Sequence, residues 1–434
     1  MIKSVFKAFR LAFFAGLLAG VLVPATVSAT TQSIQVLHIE GTIVPIVADY
    51  IDRGIGKAED ENAAVCIIEL DTPGGLMDTT QRIVERILNA KVPVVVYVSP
   101  AGGWAGSAGT FITLAAHIAA MAPGSRIGAA TPVTMGEELS EEMKKKVTED
   151  AAAWIRSIAE LRGRNPEQAE LAVREGKSYT VTEALENNLI DLRADSLESL
   201  IPQLNGMKVT LVTGEEIVLN TESYALARTE MTIVERFLHV ISDPNIAYVL
   251  LSLGTIGIIA EIYSPGTFFP GIIGGISLLL AFYSLGVLDA FWGGILLILL
   301  AFGLFIGEVL TTTFGLFTAG GITALVLGSL ILFPGGDAMF QIDPWLIATV
   351  VIGIAAFFAF VINRVVVAHR RQASTGREEL LGKAAIVRTP LEPEGTVFHE
   401  GEIWKAVLDR GRAEPGEEVI ITKFEGLKLY VTKK

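Results

Sequence analysis

The segment GGWAGSAG (residues 102–109) has the residue types best suited to covalent chemistry. Its serine, Ser107, lies between Gly106 and Ala108, and these small neighbours would let a substrate carbonyl reach the hydroxyl. A strand is predicted before the segment and a helix from it, so N–H groups and the helix dipole would favour developing negative charge. The pattern AGSAG differs from the GxSxG nucleophile motif only in its first glycine. From this segment alone, Ser107 is either a nucleophile or a cap of the helix.

A second glycine-containing turn, DTPGGL (71–76), follows another predicted strand. Gly74 and Gly75 would let the backbone approach a ligand closely with N–H groups pointing outward. Such groups can hold the negative oxygen of a tetrahedral intermediate. An ordinary strand-to-helix turn would use the same residues, so both interpretations stay open at this point.

A nucleophilic serine needs a base, and the five histidines are poorly placed for that role. His117 lies ten residues further along the predicted helix, about 15 Å from Ser107 at about 1.5 Å per residue. His38 lies in or at the end of the first predicted strand and stays open as an alternative. His239 falls in a predicted interfacial helix, and His369 and His399 are predicted to lie across the membrane.

A lysine can replace histidine as the base when burial lowers its pKa enough to keep the amine neutral. A long helix is predicted over 137–162, and it carries Lys144, Lys145 and Lys146. Its predicted apolar stripe consists of Met143, Val147, Trp154, Ile155 and Ile158. Successive helical residues point about 100° apart, so the three cannot all face one site. Periodicity does not choose between them, and at least two must belong to a solvated charge run.

Four segments together resemble the NfeD family: DTPGG, VPVVVYV, AGSAGTFI and AAHIAAMAPGSRIGAATPV. Its long members are membrane-bound serine proteases of the ClpP/crotonase class, called stomatin operon partner proteins, and the resemblance covers nearly the whole chain. It implies a dyad of Ser107 and Lys146, the lysine being counted back from Gly-Arg-Asn at 163–165. It also implies an oxyanion hole of Gly74, Gly75 and Ala108.

The resemblance further implies what the protein acts on. Long NfeD proteins cut hydrophobic stretches of stomatin-like proteins, so a stomatin- or flotillin-like membrane partner and at least a homodimer are expected. A membrane scaffold with a vestigial protease domain is the alternative. A crotonase-type acyl-CoA enzyme is disfavoured, because the domain is predicted to be exported to a compartment where CoA is not expected.

The N-terminus predicts that export. Basic residues at 3, 7 and 10 precede the apolar run 11–23, and Val27-Ser28-Ala29 follows. This is the layout of a signal peptide over 1–29, with an uncleaved anchor as the alternative.

Of the 434 residues 51% are hydrophobic and only 19% are charged, so a chain of two or three units with a membrane region is expected.

An α/β ClpP/crotonase-like domain is predicted over 30–228. The strands IQVLHI, AVCIIEL and VPVVVYV are nearly continuous apolar runs, which suit a parallel sheet buried on both faces. An amphipathic linker helix is predicted over 229–244, at the membrane interface.

An all-α transmembrane region of about five helices is predicted over 245–367, because five apolar stretches there approach the length that spans a bilayer. Arg364 and the basic cluster 369–371 follow the last stretch and should be cytoplasmic. The protein is thus expected in a bacterial-type inner membrane, with the protease domain outside the cytoplasm and the C-terminal domain inside. Glu261 and Glu308 lie at span ends, where a carboxylate is either functional or simply interfacial.

A five-stranded all-β OB-fold domain is predicted over 376–434. This segment contains ten Lys and Arg and eleven Asp and Glu, and the net charge of the chain is −13, so nucleic-acid binding is not expected.

Neither EGKS (175–178) nor GREELLGK (376–383) is a P-loop, so no ATP is expected. The single cysteine, Cys66, excludes an internal disulfide and a cysteine-based zinc site. No metal or other cofactor is predicted.

Overall fold

The computed structural model of the chain describes residues 32–133, 140–263, 268–288, 290–311, 315–333, 341–370 and 380–434. The predicted signal peptide, 1–29, lies outside these residues, so its prediction stands as it was. Residues 137–139 of the predicted long helix and the basic residue at 371 also lie outside the described residues.

The N-terminal domain alternates strands and helices, as predicted. Its strands are β1 (Gln32–Glu40), β2 (Val65–Asp71), β3 (Val94–Val98), β4 (Trp104–Ala105), β5 (Ile118–Met121), β6 (Arg126–Ile127), β7 (Tyr179–Thr180), β8 (Leu192–Arg193), β9 (Lys208–Thr210), β10 (Glu216–Val218) and β11 (Tyr224–Arg228). Its helices are α1 (Pro45–Asp60), α2 (Met77–Leu88), α3 (Ala108–Ala115), α4 (Glu141–Leu161), α5 (Pro166–Arg174), α6 (Val181–Glu186) and α7 (Leu197–Leu204).

The central sheet has six strands in the order β11-β1-β2-β3-β5-β8, and every neighbouring pair is parallel. All five residues of β3 are buried, which explains why its sequence lacks polar alternation. One face of the sheet packs on α1 to α5 and the other on α7. The predicted parallel α/β fold is therefore confirmed.

Helix α4 differs from its prediction in its apolar stripe. Its first residue follows Ser140, whose hydroxyl oxygen accepts a hydrogen bond from the Met143 N–H. The buried face comprises Ala151, Ala152, Ile155, Ile158 and Ala159. Met143, expected in this stripe, is 45% exposed, because only the second half of the helix packs on the domain.

The linker helix α8 (Ile233–Ile241) follows the domain. Thr232 and Glu235 form a capping box at its start, a sequence-local signal for a helix N-terminus. The observed helix lies inside the predicted range 229–244.

Five apolar helices come next, within the five predicted stretches or close to their bounds: α9 (Pro244–Tyr263), α10 (Phe269–Val287), α11 (Trp292–Leu310), α12 (Leu316–Ile331) and α13 (Pro344–Arg370). Length and composition allow α9 and α10 to cross a membrane, and the other three contain shorter apolar segments. Helices α9 and α10 approach closely, since a Cβ on Gly257 would lie 2.8 Å from the Gly274 Cα. Small residues permit such contacts between membrane helices.

Glu261 and Glu308 each cap the helix that follows them. The Glu261 carboxylate accepts hydrogen bonds from the N–H groups of Phe268 and Gly271. The Glu308 carboxylate accepts them from Gly315 at 2.8 Å and Thr318 at 3.0 Å. The offsets are the same in both cases, seven and ten residues, so the two turns repeat one design. A carboxylate at a helix N-terminus is also favoured by the helix dipole.

The C-terminal domain is a closed five-stranded barrel, which confirms the predicted small all-β domain and is consistent with an OB-fold. Its strands follow the order β12-β13-β14-β16-β15. They are β12 (Ala384–Thr389), β13 (Glu394–His399), β14 (Glu402–Leu408), β15 (Glu418–Glu425) and β16 (Lys428–Lys433). Val397, Val419, Ile421 and Val431 fill its interior.

The chain divides into two compact units. One extends to Ile298 and includes Leu327–Ile347, so it contains the α/β domain, α8, α9 and α10. The other contains Leu299–Val326 and Ala348–Lys434, and thus the barrel.

Candidate active site

Two loops at the carboxyl edge of the central sheet build the candidate site. Strands β2 and β3 are parallel neighbours, so the turn after β2 and the chain after β3 leave the sheet at the same edge. The Thr72 N–H donates to the Trp104 C=O at 2.7 Å, and the Gly106 N–H donates to the Thr72 C=O at 2.9 Å. This backbone ladder places the Gly74–Gly75 turn beside the approach to Ser107.

Ser107 has a backbone conformation that serine rarely adopts, with φ 45° and ψ −110°. Its N–H donates to the Ala129 C=O at 2.7 Å, and its C=O accepts from the Thr110 N–H at 3.0 Å. Positive φ is unfavourable for a residue with a Cβ and is typical of functional sites. Although Ser107 occupies the N-cap position of α3, its side chain accepts no capping hydrogen bond. The structure therefore does not support the interpretation of Ser107 as a simple helix cap.

The glycines beside Ser107 are required by the close approach of the two loops. A Cβ on Gly106 would lie 2.4 Å from the Trp104 ring and 2.7 Å from the Pro73 carbonyl oxygen. A Cβ on Gly109 would lie 2.7 Å from the Thr72 methyl carbon. Ala105, which replaces the first glycine of the GxSxG pattern, is buried at the bridge to Thr72, where a methyl group is tolerated.

Gly74 and Gly75 have different roles in the turn. The N–H of Gly74 donates to the Thr72 hydroxyl oxygen at 3.0 Å, so it is not available to a ligand in this conformation. This differs from the expectation that Gly74 supplies an oxyanion donor. Gly75 forms a parallel bridge with Ile43, in which the Gly74 C=O and the Leu76 N–H bind Ile43. In such a bridge the N–H of the central residue, Gly75, points away from the partner strand.

The N–H groups of Gly75 and Ala108 remain for an oxyanion. Ala108 is the first residue of α3, so its N–H has no partner within the helix. No hydrogen bond from either N–H to another described residue is found. Both groups belong to adjacent loops at one sheet edge, which is the arrangement that could hold a negative oxygen beside Ser107.

The three lysines lie in the first turns of α4, and all are exposed. Lys144 pairs with Glu141 at 3.1 Å, and no hydrogen bond joins Ser107 to Lys146. Ile155 is at the centre of the buried face, and Lys146 is nine residues from it, on the opposite side of the helix. The expected burial of a catalytic lysine is thus not met within one chain. Helix α4 does pack on α3, since the Trp154 and Phe111 rings stack at 4.6 Å.

The histidines of this domain are not placed to serve Ser107. Helix α3 ends at Ala115, so His117 is not on the same helix, contrary to the prediction. Its Nδ1 accepts from the Val94 N–H at 3.1 Å, and burial, with Arg162 and Arg164 nearby, lowers its pKa to about 3. His38 lies on the sheet face opposite α3, where Glu69 raises its pKa.

Two arginines hold the far end of α3, and sequence reasoning missed them. Arg164 is 4% exposed, donates to the carbonyl oxygens of Leu114 and Ala116, and pairs with Asp191 at 2.8 Å. Arg162 donates to the Ala115 C=O at 2.7 Å. They satisfy carbonyls that the end of a helix leaves free. The only sequence signal was Gly-Arg-Asn at 163–165, which served merely as a landmark.

Two further residues position the loops. The Asp71 carboxylate accepts from the Trp104 N–H at 2.9 Å, which ties the end of β2 to the serine loop. The Trp104 indole N–H donates to the Gly128 C=O, and the Arg126 guanidinium lies 4.4 Å from the centre of its ring. Among the described residues, no group of three or more His, Cys, Asp or Glu side chains could hold a metal ion.

These features define a membrane protein with three parts: an α/β domain with a serine-centred site, a set of apolar helices and a small barrel. Family models match each part in order: "NfeD1b, N-terminal domain" over 33–201, "NfeD integral membrane domain" over 245–364 and "NfeD-like C-terminal, partner-binding domain" over 377–433. The chain belongs to the NfeD family, and it is an integral membrane protein.

The family relationship also appears in whole-chain comparisons. The chain is 39% identical over 411 residues to membrane-bound protease PH1510 of Pyrococcus horikoshii, covering 92% of this chain and 93% of that protein. It is 27% identical over 462 residues to membrane protein NfeD1b of Bacillus subtilis, covering 98% of each. A solved lysine-to-alanine mutant of the 1510-N membrane-bound stomatin-specific protease, in complex with a substrate peptide, is 36% identical, with a TM-score of 0.46. This match covers 49% of the present chain and 98% of the solved one.

Proposed function

We propose that the protein is a membrane-bound serine endopeptidase in which Ser107 is the nucleophile and Lys146 the general base. The observation that carries the proposal is the backbone conformation of Ser107 at the start of α3. Its hydroxyl makes no capping hydrogen bond to the helix. The N–H groups of Gly75 and Ala108 belong to the two adjacent loops at the same edge of the sheet. The 39% identical relative is named a membrane-bound protease, which supports the same reaction class.

In the proposed reaction, the Ser107 Oγ attacks the scissile carbonyl carbon while its proton passes to the neutral Lys146 amine. The carbonyl oxygen becomes an oxyanion held by the N–H groups of Gly75 and Ala108. The C–N bond then breaks, and the lysine returns its proton to the leaving amine. Water, deprotonated by the same lysine, hydrolyses the acyl-enzyme.

A neutral lysine requires a dry environment, and α4 exposes all three lysines in a single chain. We therefore infer that a bound peptide or a second protomer covers the start of α4 during catalysis. The exposed Met143 on the same turns would be covered in the same step. This agrees with the proposed assembly as at least a dimer.

We propose hydrophobic segments of stomatin-like membrane proteins as the substrate, because the 36% identical solved relative is described as a stomatin-specific protease. The barrel, which matches a partner-binding domain, is the proposed site for a stomatin- or flotillin-like partner. The protease domain is proposed to lie outside the cytoplasm and the barrel inside it, with five spans between them.

The test is reaction with a fluorophosphonate probe, which labels an activated serine covalently. We expect the purified full-length protein to be labelled and to cleave an apolar peptide, and Ser107→Ala to lose both properties. Ser125→Ala is a matched control, because that buried hydroxyl donates to the Ala122 C=O outside the site. Equal labelling of wild type and Ser107→Ala would remove the protease proposal and leave the scaffold alternative.

The same assay assigns the base. Lys144→Ala, Lys145→Ala and Lys146→Ala are compared with Ser107→Ala, and only Lys146→Ala should match the serine variant. Activity in Lys146→Ala together with inactivity in one neighbouring variant would move the base to that neighbour.

A further inference from the structure

The loop after β1 forms the back of the proposed oxyanion turn. The Gly41 N–H donates to the Asp71 C=O at 2.9 Å, the Ile43 N–H to the Gly74 C=O at 2.8 Å, and the Leu76 N–H to the Ile43 C=O at 3.0 Å. A Cβ on Gly75 would lie only 2.2 Å from the Ile43 carbonyl oxygen. The direction of the Gly75 N–H is therefore set by the position of this loop.

Helix α8 contacts the opposite side of the same loop through His239. Its Nε2 lies 3.3 Å from the Thr42 carbonyl oxygen. A carbonyl can only accept a hydrogen bond, so Nε2 must carry the hydrogen. Around this contact is a cavity of about 420 Å³, lined by Gly41, Thr42, Val44, His239, Ser242 and Ile246, among others. Because the loop borders open space here, dense packing does not hold it on this side.

The helix that carries His239 is itself firmly attached to the domain. Arg53 of α1 pairs with Glu235 at 2.7 Å and donates to the Glu230 C=O at 3.0 Å. The Tyr50 hydroxyl donates to the Thr229 C=O at 2.6 Å. The start of α8 is thus fixed, and His239, one turn after Glu235, points to the same side of the helix.

Helix α8 also continues almost directly into the membrane region. It ends at Ile241, and α9 begins at Pro244. Its outer side exposes Ile233 (90%), Phe237 (47%) and Val240 (53%). A helix with one apolar exposed side next to a membrane helix is suited to lie in the bilayer interface.

We propose that His239 is a positioning residue for the oxyanion hole, and that α8 supports the Gly74–Gly75 turn from the membrane side. The contacts form a short series: α8 holds Thr42 through His239, the adjacent Ile43 holds Gly75, and Gly75 offers its N–H to the oxyanion. The inference rests on the proposed function, because it concerns the oxyanion hole of that reaction. It goes beyond it by making turnover depend on a helix outside the catalytic loops.

The experiment measures peptide hydrolysis by full-length protein in detergent. Loss of support should weaken stabilisation of the transition state and leave substrate binding unchanged. We expect His239→Ala to lower kcat about tenfold at constant KM, and to weaken a peptide boronate inhibitor by the same factor. His239→Gln keeps a donor near the position of Nε2 and should recover most of the kcat. Arg236→Ala, an exposed neighbour on α8, should behave like wild type.

A residue with a merely structural role would lower the melting temperature without separating kcat from KM. If His239→Ala does not fold, His239→Phe replaces it, because phenylalanine keeps the ring volume and removes the donor. Equal kcat values for the glutamine and phenylalanine variants would overturn the inference. If Ser107→Ala is as active as wild type, the proposed function fails. If only Ser107→Ala is inactive, the function stands and the role of His239 fails.

Discussion

At the scale of single residues, the hydroxyl of Ser107 is available because other groups hold its backbone. The Ala129 and Thr110 bonds stabilise a conformation that serine would otherwise avoid. Neighbouring Gly106 and Gly109 leave room for the second loop. The residue types around Ser107 were enough to make it a candidate nucleophile, because small neighbours have a local signature, and the family resemblance then favoured that role over a helix cap.

Other residues of the site had no local signature. Ile43 lies far from Gly75 in sequence and acts through its backbone N–H and C=O, which every residue except proline could supply. Arg164 acts on carbonyls about fifty residues earlier. Thr72 occupies the Gly74 N–H, which depends on a side-chain rotamer. Contacts of these kinds are formed by tertiary packing, so one sequence cannot reveal them.

His117 predicts how stability depends on pH. Its folded-state pKa, about 3, lies below the usual 6.5. Between these two pH values the imidazole is therefore protonated in the unfolded chain and neutral in the folded one. Its contribution to stability is present above pH 6.5 and is lost as the pH falls towards 3, at up to about 1.4 kcal/mol per pH unit. We expect His117→Asn, which can still accept from Val94, to lose less stability in acid. Denaturant unfolding between pH 4 and 7 measures this.

His38 provides the opposite control. Glu69 raises its pKa, so its contribution is present below pH 6.5 and is lost as the pH rises through the folded-state value. His38→Asn should therefore lose relatively more stability in acid than wild type. If the free energy of unfolding has the same pH dependence in wild type and His117→Asn, the imidazole has the same pKa in the folded and unfolded states.

At the scale of elements, continuous apolar runs identified β1, β2 and β3 of the six-stranded sheet, and turn residues separated the barrel strands. The end of α3 was not predictable, because TLAAHIAAM contains neither Gly nor Pro and reads as a continuing helix. The arginines that hold this end arrive from a distant loop. The exposed start of α4 was missed because an apolar residue such as Met143 suggests burial even where no partner from the same chain covers it.

The capping role of the two glutamates in the membrane region could also be recognised only from the structure. From sequence, Glu308 was compatible with either a functional carboxylate or an interfacial one. It is 6% exposed and binds two N–H groups at the start of α12. We expect Glu308→Ala to lower the free energy of unfolding by about 2 kcal/mol without changing kcat, as thermal unfolding in detergent would measure.

Asp343→Ala is the matched control for that variant. The Asp343 carboxylate caps α13 through the Trp345 N–H, but it is exposed, so its loss should cost about 1 kcal/mol or less. A Glu308→Ala protein with wild-type stability and no activity would instead give the carboxylate a catalytic or transport role.

At the scale of the whole molecule, the domain organisation was predicted from composition, because apolar and polar stretches alternate over long distances. Orientation across the membrane rests on the basic residues that follow the last predicted span and on the predicted signal peptide. It stays a prediction, which the single cysteine makes easy to test. Cys66 is fully buried, and burial raises its pKa to about 12, so the native thiol should not react with a maleimide.

Cysteines introduced on either side should therefore label without background. We expect a membrane-impermeant maleimide to label Glu215→Cys in intact cells, with the outer membrane permeabilised where there is one. Arg410→Cys should be labelled only after the inner membrane is opened. Both positions are exposed, and wild type is the blank. Labelling of Arg410→Cys in intact cells would place the barrel outside and require an even number of spans after an exported domain.

Trp104 has a further consequence, an optical one. Its indole is hydrogen-bonded to Gly128 and covered by Arg126, three residues before Ser107. Indole emission responds to both hydrogen bonding and nearby charge. With the other four tryptophans replaced by phenylalanine, the colour and lifetime of this fluorophore would report occupancy of the serine loop in real time, without a substrate label.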